Sequence, residues 1–325
     1  GHLAQRTGAV YVIADHCTDA TARLAAQAGA RVYERHQGPG GKGAALAWFV
    51  EVAAEDLRAF DFVVILDADS RLADGFVPAM AEAFAQGAIA AQGFVQPIGA
   101  DRSPTSALAA YSELLSQRIG DKIRARLGWT VPLRGTGMAF RPDVLRAAVG
   151  DLRTQVEDAE MSLGLARRRV RVHCVPRAVV YDPKPVGARS ASRQRARWLH
   201  GQAQVWRHYW RDILELALRG GPPAWALLWA LLAKPKTLLL AVKAVLLAAC
   251  IVVPFEPAWL RALLLGAAGL AVTADVTYLT LGLLLVEDRR LYARALLLSP
   301  LYLMMWLWSV GLAPLARGKW LRARD

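Results

Sequence analysis

FVVILDADSRLADGF, residues 62–76, runs five apolar residues, Phe62 to Leu66, into two aspartates separated by one alanine. The apolar run shows no alternation and is rich in β-branched residues, which predicts a parallel strand covered on both faces. In open α/β sheets ligands bind outside the carboxyl ends of the strands. Asp67 and Asp69 therefore belong at the mouth of a crevice. Two carboxylates this close repel unless a cation or hydrogen-bond donors compensate, and a hard divalent ion held by oxygen ligands is the natural compensator. Taken alone, Asp-x-Asp also reads as a strand end with two solvated acids.

Around this stretch the chain of 325 residues is 55% hydrophobic and carries a formal charge of +13. Basicity combined with long apolar segments points to a membrane protein with a cytoplasmic face and away from nucleic acid as a partner. The apolar residues concentrate late, in TLLLAVKAVLLAACIVV (237–253), WLRALLLGAAGLAVTADVTYLTLGLLLV (259–286) and ALLLSPLYLMMWLWSVGLAPLA (295–316). The first is near the lower limit for crossing a bilayer and the other two are long enough; buried helices of a soluble protein are the alternative. Cys17, Cys174 and Cys250 lack ligand spacing, so neither a disulfide framework nor a zinc site is indicated. Gly1 is not an initiator Met and no signal peptide precedes YVIAD, so the sequence reads as beginning inside a domain.

Residues 1–183 alternate strand-like runs (VYVIAD, ARVYERH, FVVILDAD, AIAAQGFVQ, VRVHCVP) with helix-like ones (TARLAAQAG, GAALAWFVEVAAE, PAMAEAFAQ, EDAEMSLGLARRR). That order predicts an α/β domain with a largely parallel sheet. Residues 184–219 then carry eight Lys or Arg against Asp212 and Glu215, interleaved with Trp198, Trp206, Tyr209 and Trp210. Trp198, Val205, Trp206, Tyr209 and Ile213 fall near one helical face, as in an amphipathic helix lying at a membrane interface. PPAWALLWALLAKPK reads as a second interfacial piece. Boundaries follow at 1–183, 184–236 (interfacial), 237–316 (transmembrane) and 317–325 (basic tail).

Four further segments carry chemistry. ADHCTDAT (14–21) supplies Asp15, at a strand end where it can accept hydrogen bonds from a base or ribose, and Asp19, which reads as a helix cap. GPGGKGAALAW (38–48) is a glycine-rich loop opening a helix, with Lys42 in it, which suits an anion as well as a plain surface turn. RGTGMAFR (134–141) places Gly135, Thr136 and Gly137 where the backbone turns or approaches something closely. TQVEDAEM (154–161) puts Glu157 and Asp158 at an expected helix start, one as a dipole-favoured cap and the other as a candidate general base. Finally, SRQRARWLHG (192–201) aligns Gln194, Arg197 and Trp198 on one helical face.

DAD at 67–69, VED at 156–158 and QRARW at 194–198, in that order and ahead of the apolar segments, resemble the Asp-x-Asp, Thr-Glu-Asp and Gln-x-x-Arg-Trp motifs of membrane-bound family 2 glycosyltransferases. Cellulose, chitin, hyaluronan and poly-N-acetylglucosamine synthases belong to that group. ADHCTDAT and GGKGAALAW are similar to its nucleotide-binding segments. Val156 stands in place of the usual Thr, and the first strand and helix of the GT-A fold are missing from the pattern.

The resemblance implies a Rossmann-like GT-A domain, interfacial helices and a C-terminal transmembrane region. It also implies a nucleotide-sugar donor, in particular a UDP-sugar, a glycan or lipid acceptor, and membrane lipids as surroundings. Asp69 would hold Mg2+ or Mn2+ on the donor diphosphate, with Asp67 on ribose or on the metal's water shell. Asp15, Lys42, Gln194 and Arg197 would bind the donor. Asp158 would be the base, and Gly135, Thr136, Gly137 and Trp198 would meet the acceptor. Competing readings are a catalytically silent membrane subunit and an aspartyl phosphatase built on ILDADS. Lys243 and Asp275 fall inside the apolar segments and are candidates for a mutual pair. Three spans with the catalytic domain in the cytoplasm would leave the basic tail outside, against the positive-inside tendency.

Overall fold

The computed structural model describes residues 8–150, 152–233, 236–253 and 256–312. Strands β1 (Tyr11–Asp15) and β2 (Arg31–Arg35) form a parallel pair joined through the helix Thr21–Gln27. Five further strands, β3 (Val63–Ile65), β4 (Arg71–Leu72), β5 (Ala90–Ile98), β6 (Met138–Phe140) and β7 (His173–Pro183), make a second sheet in the order β3-β6-β5-β7-β4.

This sheet corrects the expectation of largely parallel pairing. Only the β5–β7 neighbours pair in parallel; β6 is antiparallel to both β3 and β5, and β4 is antiparallel to β7, so β3, β5 and β7 share one direction and β4 and β6 oppose it. An apolar run reports burial on both faces but not strand direction, and helix layers cover a mixed sheet as well as a parallel one. Leu46, Phe49, Leu145 and Met161 belong to one core cluster with Met138 and Phe140, while Phe76, Met80, Val175 and Val180 form another with Ala139. Thus β6, three residues long, contributes to the core on both sides of the sheet. At the β5–β7 irregularity after Gly93, a Cβ on that glycine would lie 2.5 Å from the Ala178 carbonyl oxygen, so the two backbones meet where no side chain fits.

Beyond β7 the long helix Ala188–Arg219 bends at Tyr209, whose φ of −119° and ψ of 17° leave the helical region. The single apolar face expected there divides in two. Val205 and Ile213 pack with Val156, Leu163 and Leu228, whereas Trp206 and Trp210 stand exposed. The next helix, Gly221–Leu232, buries Leu227, Leu228 and Leu231 and exposes Trp225 and Trp229.

The three expected spans are realised unevenly. Residues 258–285 are, among the described residues, the one helical stretch long and apolar enough to cross a membrane. The preceding helix, Lys236–Val252, has 17 residues and is joined to it by the Lys243–Asp275 ion pair at 2.6 Å. The third segment is broken near Pro300 into Arg289–Leu297 and Ser299–Leu312, in keeping with the helix-breaking geometry before proline. Of these two, Arg289–Leu297 packs against the α/β domain, with Tyr292 stacked on Tyr111 at 5.3 Å. Residues 313–316 and the basic tail 317–325 lie outside the described residues.

Candidate active site

The turn Arg134–Gly137 lies at the end of β3 and beside the first half of β5. Gly137 donates its N–H to Ile65 and accepts from the Gly93 N–H, each at 2.9 Å. Gly135 and Gly137 have φ of +82° and +66°, and a Cβ at Gly137 would sit 2.6 Å from Val180 Cγ1. Left-handed backbone and contact distance together require glycine there. Gln92, 1% exposed, brackets the turn by accepting from the Arg134 N–H and donating to the Thr136 carbonyl, both at 3.0 Å. The Thr136 hydroxyl faces inward: it accepts from the Asp67 N–H at 3.2 Å and bonds the Ser70 hydroxyl at 2.9 Å. Thr136 therefore ties the turn to the Asp-x-Asp segment.

Lys42 opens the helix Lys42–Val52, immediately after the glycine-rich loop. Its ammonium is already engaged, donating to the Asp67 carboxylate and the Gly135 carbonyl and lying 3.4 Å from Glu157 Oε1. Burial alone would lower the Lys42 pKa, but Glu157, Asp67 and Asp158 outweigh it and hold the ammonium above its ordinary value. Burial pushes the Glu157 carboxyl above its ordinary range; Lys42 opposes that rise and Asp158 and Asp67 add to it. Asp158 is the second residue of the helix Glu157–Arg167 and accepts from the Ala159 N–H at 2.8 Å through Oδ1. Its Oδ2 reaches the Gly135 turn, 4.0 Å from where a Cβ on that glycine would stand. Segments from four distant parts of the chain thus meet at one point, with three carboxylates against one ammonium.

Asp69 is exposed beside them. A carboxylate absent from the sequence reading joins the group: Asp182, near the end of β7, is pushed above its ordinary range by burial, relieved by its 2.8 Å pair with Lys184, and pushed further by Asp67 and Asp69. The only signal for it is a strand-like run ending on an acid in YDPKP. Among the described residues no group of three or more His, Cys, Asp or Glu side chains is arranged to hold a metal ion. A magnesium-like ion is ordinarily held by one or two carboxylates plus substrate phosphates rather than by an all-protein cage. Exposed Asp69, next to Asp67 and in an excess of negative charge, suits that mode of binding.

Asp15 lies at the end of β1. Arg35, 6% exposed, donates to its Oδ1 at 2.5 Å, the Gly41 N–H donates to Oδ2 at 3.1 Å, and His16 Nδ1 lies 2.9 Å from Oδ1. Burial would raise this carboxyl, yet Arg35, Gly41 and His16 hold it below its ordinary range. Asp15 therefore anchors the glycine loop that leads to Lys42. Asp19 does not take the cap position, which falls to Ala20; from one residue earlier it accepts from the Thr21 N–H at 3.0 Å.

Gln194, Arg197 and Trp198 ride on the helix Ala188–Arg219, with Trp198 43% exposed. The turns that follow them on this helix touch the acid pair's approach. A Cβ at Gly201 would lie 2.6 Å from Val156 Cγ1, and Gln204 Oε1 accepts from the Gln155 N–H at 3.0 Å. Buried Glu160 adds a clamp: it accepts from the Arg153 N–H at 2.7 Å, the Thr154 N–H at 2.9 Å, the Thr154 hydroxyl at 2.7 Å, and the Tyr209 hydroxyl. The helix carrying QRARW is thereby registered against the helix carrying Glu157 and Asp158.

Four chain segments thus deliver a lysine, an Asp-x-Asp strand end, a glycine turn and an acid pair to one point on a mixed α/β scaffold. The chain belongs to glycosyl transferase family group 2, whose family model matches residues 62–315. A comparison with curated proteins returns no match.

Proposed function

We propose that the chain is an inverting glycosyltransferase that moves a sugar from a nucleotide-sugar, in particular a UDP-sugar, to a glycan or lipid acceptor at the cytoplasmic face of a membrane. The observation that carries this reading is the meeting of Lys42, Asp67, the Gly135 turn, Glu157 and Asp158. Asp158, beside the glycine turn, would take the proton of the acceptor hydroxyl as its oxygen attacks the anomeric carbon. The new C–O bond forms as the bond to the diphosphate oxygen breaks, and the electron pair leaves with the nucleoside diphosphate. One displacement inverts the anomeric configuration.

Asp15, Lys42, Asp67, Asp69, Gln194 and Arg197 would bind the donor, Arg197 by a bidentate grip on the diphosphate. Gly135, Thr136 and Gly137 would shape the acceptor pocket, and Trp198 would stack against the acceptor. Asp69, with Asp67 near the metal's water shell, would hold Mg2+ or Mn2+, which supplies positive charge to the leaving diphosphate. In this reading residues 1–183 form a GT-A donor-binding domain, 184–236 lie at the membrane interface and 237–316 cross the bilayer more than once. The exposed tryptophans of the two helices after β7 support that placement.

Membranes containing the protein, incubated with a panel of labelled UDP-sugars, test the proposal. Transfer of one sugar with inversion is expected. A ladder of product sizes identifies a polysaccharide synthase, and a single extractable glycolipid identifies a lipid glycosyltransferase. No transfer from any nucleotide-sugar in the presence of Mg2+ and Mn2+ overturns it.

A further inference from the structure

We infer that Arg134 is a positioning residue through which the C-terminal helices set the height of the Gly135–Gly137 turn over the reaction site. The inference rests on the transferase reading above. The Arg134 side chain is 8% exposed and all three of its nitrogens are engaged. Nη1 donates to Glu113 at 2.6 Å, Nε to Asp121 at 3.1 Å, and Nη2 to Asp121 again and to the Ser116 hydroxyl at 3.2 Å. Its backbone N–H is held by Gln92 and the next carbonyl, that of Gly135, takes the Lys42 ammonium. With the guanidinium and the backbone N–H both fixed, Arg134 holds one end of the glycine turn that would shape the acceptor pocket.

Arg134 grips a segment of unusual geometry. Ser116–Asp121 is a π-helical turn, a form that occurs mostly as single turns and frequently at functional sites. Gln117 within it pairs with both the N–H and the carbonyl of Val95 on β5, at 2.8 and 2.7 Å. The opposite side of this segment is held by the C-terminal helices. Arg118 donates to the Leu285 carbonyl, Tyr111 donates to the Leu279 carbonyl, and Arg124, which pairs with Asp121 at 3.3 Å, donates to the Ala226 carbonyl at 2.8 Å. A Cβ on Gly282 would lie 2.5 Å from Leu115 Cδ2, so the end of the membrane-length helix has no slack against this seam. Glu113 also acts electrostatically on Lys184, the partner of Asp182 beside Asp67 and Asp69. One guanidinium thus joins the glycine turn, the π-turn and, through it, two C-terminal helices.

The test uses the full chain in membranes or detergent, with Arg134→Lys, Glu113→Gln and Tyr111→Phe. Lysine keeps the charge but cannot make the forked contacts, and misplacement of about 1 Å at a reacting site costs on the order of 10²-fold. Arg134→Lys is expected to lower kcat per donor-binding site by about 10²-fold and to raise the acceptor KM, with donor KM within about threefold of wild type. Glu113→Gln, which leaves the Asp121 contacts, and Tyr111→Phe, which removes only the bond to the membrane-length helix, should move kcat and acceptor KM the same way by smaller factors. Normalising to donor-binding sites removes any loss of folded protein. Unchanged kcat and acceptor KM in Arg134→Lys, or a donor KM that rises in step with them, overturns the inference; wild-type values in Tyr111→Phe overturn its C-terminal-helix part. Failure of the wild type to transfer any sugar would instead overturn the underlying reading.

Discussion

The α/β part of the molecule and its C-terminal helices solve opposite problems. In the first, apolar side chains turn inward around the sheet and charges gather at the strand ends. In the second, Val252, Leu270 and Leu297 are 76%, 73% and 82% exposed, while the ionisable Lys243 and Asp275 pair between two helices. Leaving a large aliphatic side chain in water rather than burying it forgoes about 1.5–3 kcal/mol. In the membrane placement proposed above, these exposed side chains would face lipid, the two regions would be shaped for different solvents, and the seam around Tyr111, Leu115 and Gly282 would be where those solvents meet.

Four perturbations separate the regions, from the largest expected effect to the smallest. Asp158→Asn in the water-facing site should lower kcat by roughly 10²–10⁴-fold, the usual contribution of a general base, while calorimetry still detects donor binding. Unchanged transfer would refute Asp158 as the base. Lys42→Met leaves Asp67 and Glu157 without their ammonium; because Asp67 is 41% exposed the loss falls short of that for a fully buried pair and should be about 1–3 kcal/mol by chemical denaturation.

The sign of the pH dependence sharpens that second test. The Lys42 pKa is raised in the folded state, so its contribution is complete below the unfolded value of about 10.4 and is lost as pH rises through the folded one. Wild type should lose this stability in strong alkali and Lys42→Met should not. Glu157 is also raised, so its contribution is present below its unfolded value of about 4.3 and is lost as pH rises through the folded one. Without Lys42 opposing that rise, the variant should gain stability relative to wild type on mild acidification.

In the C-terminal region, Lys243→Met should cost about 1 kcal/mol in unfolding from bicelles, the scale of an interhelical polar contact in lipid. An equal cost in a water-soluble fragment would contradict the bilayer placement. Glu51→Gln breaks the exposed pair with Arg146, both partners more than half exposed; denaturation should register under about 0.5 kcal/mol. A loss as large as that for Lys243→Met would erase the contrast between the two regions.

Much of this arrangement is legible in the residues themselves. The run ending at Asp67, the glycine loop delivering Lys42 and the helix starting at Glu157 all appear where local pattern places them, because burial, capping and turn chemistry act over a few residues. The sheet's mixed direction is not legible, since β6 is only Met138–Phe140 and its antiparallel course follows from the glycine turn before it. The helices within 104–126 also escape a reading focused on motifs, although Ser103 caps them recognisably by accepting from the Ser106 N–H. Long-range charge matching is hidden as well. Nothing near Lys42 announces that its ammonium meets Asp67, or that Asp182 joins the Asp-x-Asp pair. Likewise the spacing of Val205 and Trp206 puts them on adjacent strips of one helix, and only the packing of Val156 and Leu163 decides which strip is inside.

The clamp at Glu160 has a calorimetric consequence. With four donors already converging on that carboxylate, the chain approaching Glu157 and Asp158 is organised when the protein folds, not when a ligand arrives. Association of the nucleotide-sugar should then show little of the entropic penalty that accompanies ordering of a loose loop, and the Tyr209→Phe variant, missing one of the four donors, should bind with a more unfavourable entropy.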